Sequence, residues 1–262
     1  MVYGKKNNLN LKQVYTSSAP LRRSPENDSL LETECLYGET LKPLSINKDW
    51  FFCQTKIDDY KGWIHSSFVG DAIKCTHRVS TLRTYVYYLP DEKSKIIQYL
   101  PMGAKVFIKS INTNWAKIFS PNTDDFTGYV PENHVTNLKY KVKDWVSSAE
   151  QLIGAPYKWG GRDSLGIDCS ALIQIALETI NIKIPRDTSK QIKSKKSMDI
   201  NFKSIKRGSV VFWDGHVGVM INKSLILHAN AFHMKTIVEP LNDVIKRAIK
   251  KNSDIIKIAN FI

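Results

Sequence analysis

The stretch "GIDCSALIQ", residues 166–174, sets an acid and a cysteine directly ahead of an apolar run. A structural cysteine ordinarily lies inside such a run, where a free thiol packs as a small hydrophobe. Upstream, "APYKWGGRDSLG" is glycine-rich and irregular, whereas Leu172, Ile175, Ala176 and Ile180 recur downstream on one helical face. The pattern predicts a helix that opens at Cys169, with Asp168 as its cap. In a first turn the positive end of the helix dipole lowers a thiol's pKa, and the thiolate is the reactive form. A cysteine nucleophile also needs a base and a group that orients the base.

Histidines follow on what read as rigid elements. "RGSVVFWDGHVGVMINKSLILHANA", residues 207–231, predicts strand, Asp214-Gly215 turn, strand, turn, strand, and Asp-Gly between β-branched runs is a strong hairpin signal. His216 opens the second strand and shares a face with Gly218 and Met220, while His228 lies on the third. Adjacent antiparallel strands bring two such side chains within reach of each other and of a helix packed on the sheet. The order Cys, His, third polar residue follows triad logic on a papain-like scaffold. Spacing alone takes this to a possible cysteine hydrolase. A zinc site from Cys169, His216, His228 and His233 lacks metal-type spacing, and neither a metal nor a cofactor is expected.

The first half of the chain is a repeat. Gly38 precedes Trp50 by twelve positions, and Gly62-Trp63-Ile64 and Val69 follow; Gly103 precedes Trp115 by twelve, and Gly128-Tyr129-Val130 and Val135 follow. Leu21 in "APLRRSP" is matched to Leu82 in "STLRTYV". Each copy consists of short β-type runs punctuated by Asn, Asp, Gly and Pro, and five short strands in about sixty residues suggest a small barrel. The division expected is an N-terminal extension 1–13, a first barrel 14–74, a second barrel 75–138 and a helix-and-sheet domain 139–262, an α+β chain. The short linker "VGDAIKCTHRV" predicts barrels packed on each other. Trp145, Ala149, Leu152 and Ile153 predict a helix that Gly154 and Pro156 stop.

Bulk numbers set the frame. The 262 residues carry 38 basic and 25 acidic side chains, a net +13, which favours anionic partners. The cations are scattered, with "KSKKS" at 193–197 the nearest to a cluster, and no nucleic-acid-binding motif accompanies them, so no nucleic acid is expected as a partner. No apolar stretch reaches the ~20 residues of a membrane span. The four cysteines, Cys35, Cys53, Cys75 and Cys169, are too few and too irregular for a disulfide framework; the first three read as buried hydrophobes. With no secretory h-region, the expected location is the cytoplasm.

"GAPYKWGGRDSLGIDCSALIQ", "GHVGVM" and "LILHANA" resemble the three signature segments of the NlpC/P60 cysteine peptidases, and the two repeats resemble bacterial SH3 domains. The resemblance implies Cys169 as nucleophile, His216 as base, His228 as orienting residue, and Tyr157 as the tyrosine that supports the oxyanion. Ala171 departs from the family's usual glycine. Two SH3-like units before such a domain resemble the peptidases of murein-peptide recycling. That likeness implies hydrolysis between γ-D-glutamate and a diamino acid in free peptides with an unblocked L-alanine. A substrate ammonium must meet carboxylates and a hydroxyl, because an unpaired buried charge is costly. Glu32 and Tyr60 of the first barrel, with Asp168, Asp187 and Thr188, are the residues so implied, and Arg162 and Arg186 are candidates for the substrate's carboxylates. The rival readings are a remodelling endopeptidase or amidase acting on intact wall, and an inert peptide-binding protein. Nothing in the sequence assigns an oligomeric state or chooses between diaminopimelate and lysine.

Overall fold

Two β units built on one plan precede a helix-and-sheet domain in the computed structural model, which describes residues 10–119, 126–194 and 196–261. Residues 1–9 of the expected N-terminal extension, and Lys195 of the basic run, lie outside the described residues. The first unit comprises β1 (Lys12–Val14), β2 (Ser18–Arg22), β3 (Leu31–Leu36), β4 (Thr40–Asn47), β5 (Trp50–Thr55), β6 (Lys61–His65) and β7 (Val69–Asp71). The second comprises β8 (His77–Val79), β9 (Arg83–Tyr87), β10 (Ile96–Pro101), β11 (Lys105–Asn112), β12 (Trp115–Phe119), β13 (Phe126–Pro131) and β14 (Val135–Asn137). The hydrogen-bonded orders, β3-β2-β6-β5-β4-β1-β7 and β10-β9-β13-β12-β11-β8-β14, are the same order shifted by seven. Each unit has seven strand segments where the sequence suggested five, because the terminal pieces are three residues long, too short to show alternation.

The repeat also corrects one landmark. Leu21 lies over Gly62, where a Cβ would come within 2.7 Å of its Cγ. The matching residue over Gly128 is Val86, whose Cγ1 would lie 2.4 Å from such a Cβ. Leu82, the partner expected from the resemblance of short peptides, instead packs against the core of the third domain. What repeats is the inward side chain above a glycine, not the local peptide.

The barrels are packed on each other. Tyr37 of the first is buried in the core cluster of the second, and the Lys105 N–H donates to the Tyr37 carbonyl at 2.8 Å. Between them Gly38 takes φ +77°, and a Cβ there would lie 1.9 Å from the Lys105 carbonyl oxygen. Glycine is therefore required at this contact. Cys35 and Cys53 are fully buried in the first core and Cys75 is half-buried.

The third domain begins with α1 (Trp145–Glu150), capped by Asp144, whose Oδ1 accepts from the Val146 N–H at 3.1 Å. Ile153, expected on its apolar face, lies beyond the helix and is half exposed. A small hairpin, β15 (Arg162–Asp163) and β16 (Gly166–Ile167), leads into α2 (Cys169–Glu178), all of whose residues are buried. After α3 (Thr188–Gln191) come β17 (Ser197–Asp199), β18 (Ser209–Trp213), β19 (His216–Met220), β20 (Leu225–Asn230), β21 (Lys235–Pro240), α4 (Leu241–Ile249) and β22 (Lys257–Phe261). The antiparallel sheet runs β17-β22-β18-β19-β20-β21. Alternation splits its side chains: Phe212, Val217, Val219, Leu227 and Ala229 pack with α2, and Trp213, Met220 and Ile226 pack with Leu241 and Val244 of α4. At 25 cal/mol per Å² of apolar surface, burying side chains of this size contributes ~1.5–3 kcal/mol each. No helix among the described residues is long and apolar enough to cross a membrane.

Charged side chains buried between domains fix the barrels against this scaffold. Arg162, 2% exposed, donates from Nη1 to Glu39 Oε2 at 2.7 Å and to the Glu34 carbonyl at 3.1 Å. The Arg162 backbone N–H reaches Glu34 Oε2 at 3.0 Å, and Lys158 pairs with the same carboxylate. From the second barrel, Arg78 donates to the Glu178 and Thr179 carbonyls, each at 2.8 Å, and so clasps the end of α2. Tyr99 donates to Asp163 Oδ2 at 2.6 Å. Arg162 is thus an inter-domain tie and not the substrate-carboxylate ligand that the sequence offered.

Breaking the Arg162–Glu39 pair from one side should be far worse than removing both partners. Glu39→Leu leaves a buried guanidinium uncompensated and is expected to destabilise by ~3–5 kcal/mol, read as a lower urea midpoint. Glu39→Leu/Arg162→Met should recover most of that loss. A double variant as weak as the single would show that the pair is not the source of the effect.

Candidate active site

Cys169 is the first residue of α2, and its environment is set by Asp168. The Asp168 carboxylate accepts from the Ala171 N–H at 2.9 Å as the helix cap, from the Ser170 hydroxyl at 3.1 Å and from the Gly160 N–H at 3.0 Å. Arg186 adds a two-pronged contact, Nη1 to Oδ1 at 2.9 Å and Nη2 to Oδ2 at 2.6 Å. Five donors occupy both oxygens, so Asp168 is committed to fixing the loop, the helix start and Arg186, and offers no vacant acceptor to an ammonium. Arg186 Nε also reaches Thr33 Oγ1 of the first barrel at 2.7 Å; like Arg162, it is buried and internally paired, not poised for a substrate carboxylate.

The thiol is not pre-ionised, contrary to the helix-dipole reading. Burial, then the adjacent Asp168 charge, pushes Cys169 up to about 11, against the opposing pull of the Val217 N–H, the Thr188 hydroxyl and Arg186. Desolvation and a neighbouring carboxylate outweigh the dipole, which acts only as a partial charge. The sulfur is near the Thr188 hydroxyl and the start of β19, where Val217 follows His216. Thr188, expected among the substrate ligands, thus lies near the nucleophile itself.

The hairpin forms with Trp213 opposite His216 and Gly215 at φ +65°. On the sheet face shared with α4, His216 Nε2 and His228 Nδ1 lie 2.8 Å apart. Gly218 makes room for this: a Cβ there would come within 2.7 Å of Ile226 Cδ1 and 3.0 Å of His228 Cβ. Behind the pair stands Glu239 on β21, its Oε1 2.8 Å from His228 Nε2 and paired with Arg247. Burial raises the Glu239 carboxyl, but the hydrogen bonds from Arg247 and His228 outweigh it and hold the group below the usual carboxylate range. Glu239 Oε1 and Asn230 Nδ2, at 3.0 Å, compete for His228 Nε2, and the ionised carboxylate favours the proton there. In that tautomer Nδ1 accepts from His216 Nε2–H, His216 Nδ1 is bare as a base, and Asn230 Nδ2 is a close contact and not a donor. His216 is held down to about 3 by burial first and His228 second, so its imidazole is neutral near pH 7. Sequence reading missed Glu239, although an acid inside the β-branched run "KTIVEP" was a signal that its side chain is paired.

Tyr157 is raised to about 12, by burial first and then by Cys169 and Asp168, and so stays a protonated donor close to the nucleophile. The other implied residues meet at the barrel edge of the site. Tyr60 donates to Glu32 Oε2 at 3.2 Å, and its hydroxyl is raised by burial, then by Asp187 and Glu32. Glu32 is also paired with Arg23, and Asp187 with Lys190 at 3.0 Å, both at the surface. Three consecutive residues therefore join the two ends: Arg186 ties the barrel to Asp168, Asp187 faces Tyr60, and Thr188 lies near Cys169.

The NlpC/P60 family profile matches residues 154–251, and that of the bacterial dipeptidyl-peptidase SH3 domain matches residues 21–68. Dipeptidyl-peptidase 6 of Lysinibacillus sphaericus is 25% identical over 238 residues, covering 83% of this chain and 86% of that protein. The probable endopeptidase NlpC homolog of Haemophilus influenzae is 31% identical over 132 residues, 44% of this chain and 71% of that protein. The gamma-D-glutamyl-L-lysine dipeptidyl-peptidase of Bacillus subtilis is 23% identical over 225 residues, 77% of this chain and 73% of that protein. The crystal structure of an NlpC/P60 family protein from Bacillus cereus superimposes with a TM-score of 0.80, 18% identity and coverage of 96% of this chain and 99% of that one, which shows a shared fold. The chain belongs to the NlpC/P60 family of cysteine peptidases.

Proposed function

We propose that the protein hydrolyses the bond between γ-D-glutamate and a diamino acid in free murein peptides whose N-terminal L-alanine is unblocked. The observation that carries this reading is the convergence of Glu32, Tyr60 and Asp187 at the edge of the first barrel, with Asp187 next in sequence to Thr188. Two carboxylates and a hydroxyl, each now paired only with its neighbours, match the needs of an ammonium. A first barrel tied to the catalytic domain through Thr33 and Glu34 closes that end of the site, which suits a peptide end and rejects a polymer continuing past it. The name carried by the relative from Bacillus subtilis agrees with this class of bond. Free, unbridged thiols fit a reducing compartment, and the reading sets the protein in the cytoplasm.

In this mechanism the Cys169 proton passes to His216 as sulfur attacks the γ-carbonyl. Tyr157 donates to the oxyanion, helped by backbone N–H groups at the start of α2. Collapse breaks the C–N bond, His216 protonates the departing amine, and a thioester remains. Water, deprotonated by His216, then releases L-Ala-γ-D-Glu and restores the thiol. Thiolate and imidazolium formed side by side attract each other, which offsets part of the burial that keeps both neutral at rest. His228, oriented by Glu239, steadies the imidazolium through the His216 Nε2–H.

Mass spectrometry should detect a diamino acid released from L-Ala-γ-D-Glu-diaminopimelate and none with Cys169→Ala. N-acetylation of the alanine should lower kcat/KM at least about a hundredfold, the ~3 kcal/mol lost when charges buried by substrate go unpaired. Equal turnover of the two peptides would remove the ammonium role of Glu32, Tyr60 and Asp187 and leave the chemistry standing.

A resting thiol near 11 has a sign that can be read directly. Only the thiolate alkylates, so the iodoacetamide rate at Cys169 should climb about tenfold per pH unit between pH 7 and 9. A rate already flat from pH 7 would show a thiolate–imidazolium pair in the free enzyme instead.

A further inference from the structure

Where the three domains meet, at the end of α2 opposite Cys169, lies a cavity of about 310 Å³. The first barrel lines it with Glu39 and Lys56, the second with Arg78 and Lys105, and the catalytic domain with Glu178 and Lys183. Both carboxylates already have a cation: Lys105 Nζ lies 2.9 Å from Glu178 Oε1, and Arg162 holds Glu39 Oε2. Arg78 commits both terminal nitrogens to backbone carbonyls and the Asn181 side chain, so it supplies charge to the cavity. Lys56 and Lys183 are exposed, and their side chains pair with no carboxylate among the described residues. The cavity is therefore positive, which favours an anion. One atom asks for more than charge. Glu39 Oε1 is buried without a hydrogen-bond partner, in a side chain only 2% exposed. A buried acceptor left without a donor is costly, so the fitting ligand brings a hydrogen as well as negative charge.

We propose that this cavity binds inorganic phosphate, held by Lys56, Lys105 and Lys183, with the O–H of the ion donating to Glu39 Oε1. An ammonium ligand would satisfy the same oxygen but add a fifth cation to the four that line the cavity. Sulfate matches the charge of the phosphate dianion, yet it carries no hydrogen near neutral pH and would set a bare oxygen against Glu39. A phosphate monoester loses its last proton with a pKa of about 6, so above neutral pH it has none either. The free dianion keeps one. Each lysine ammonium has three donors, so Lys105 can serve Glu178 and the ion together. The volume sits at the low end of small-molecule sites, which span about 300–1,000 Å³, as a single tetrahedral ion requires. Because each of the three lysines belongs to a different domain, the ion joins all three and stabilises the assembled chain.

Thermal unfolding of the full chain at about pH 8 tests this, with about 10 mM phosphate, sulfate or glycerol 3-phosphate at equal ionic strength. Sulfate and phosphate are both excluded from protein surfaces, so the difference between them isolates binding. Phosphate should raise Tm about 3 °C more than either of the others, as a ligand near ten times its Kd does for a chain of this size. Lys56→Gln/Lys183→Gln should cut that excess at least about threefold. Lys250→Gln/Lys251→Gln, exposed at the end of α4, should leave it unchanged. Isothermal titration of phosphate into the same proteins gives a readout that does not depend on a variant's own stability. Equal shifts with phosphate and sulfate, no shift with phosphate, or an excess that survives in Lys56→Gln/Lys183→Gln would overturn the proposal. A shift with glycerol 3-phosphate equal to that with phosphate would overturn the assignment to the free ion. Peptide turnover plays no part in the test, so the site stands or falls apart from the γ-glutamyl reading.

Discussion

Everything in the site hangs on the guanidinium of Arg186. Buried at the junction of the first barrel and the catalytic domain, it clamps both oxygens of Asp168 and the hydroxyl of Thr33. Asp168 in turn caps the helix that presents Cys169. A buried pair of this kind adds little net stability, because desolvation cancels much of the attraction. What it fixes is geometry, since the two-pronged contact sets the orientation of both side chains. The same bond that starts the nucleophile's helix therefore also sets how far the first barrel stands from the nucleophile.

The electrostatics of the two halves of the site differ. Around Cys169 and His216 burial dominates, and it keeps the thiol and the imidazole uncharged near pH 7. Around Tyr60 burial acts first and the carboxylates of Asp187 and Glu32 add to it, each already paired with a surface cation. Glu239 links the histidines to a fixed negative charge at the far end of the relay, held ionised by Arg247. Through space its charge favours a protonated His216, but burial and His228 outweigh it.

The second barrel is tied to the segment on either side of Cys169. Its Arg78 ties it to the carbonyls that end α2, and Tyr99 ties it to Asp163 in the hairpin before α2. It thus braces both ends of the segment that carries the nucleophile. A repeat that shares one strand order is tied to the catalytic domain in two ways: the first copy through Thr33, Glu34 and Glu39, the second through Arg78 and Tyr99.

Sequence alone determined the local elements. The cap at Asp168, the two-residue turn at Asp214-Gly215, the histidine strands and the duplication of the first half are local signals, written in residue type and period. The positions of Cys169, His216 and His228, at a helix start and on two strands, were legible for the same reason, whereas their roles as nucleophile, base and orienting residue came from the family resemblance. Tertiary structure decided the rest. Whether Arg162 and Arg186 meet a substrate or carboxylates of the chain itself, whether Asp168 is vacant or saturated, and which inward residue corresponds to Leu21 depend on packing, with partners 18 positions away for Arg186 and Asp168 and 123 for Arg162 and Glu39. The sign of the Cys169 shift was decided there too: a helix start predicts a lowered thiol, but burial and the charge of Asp168 act through the assembled core, and their sum is larger.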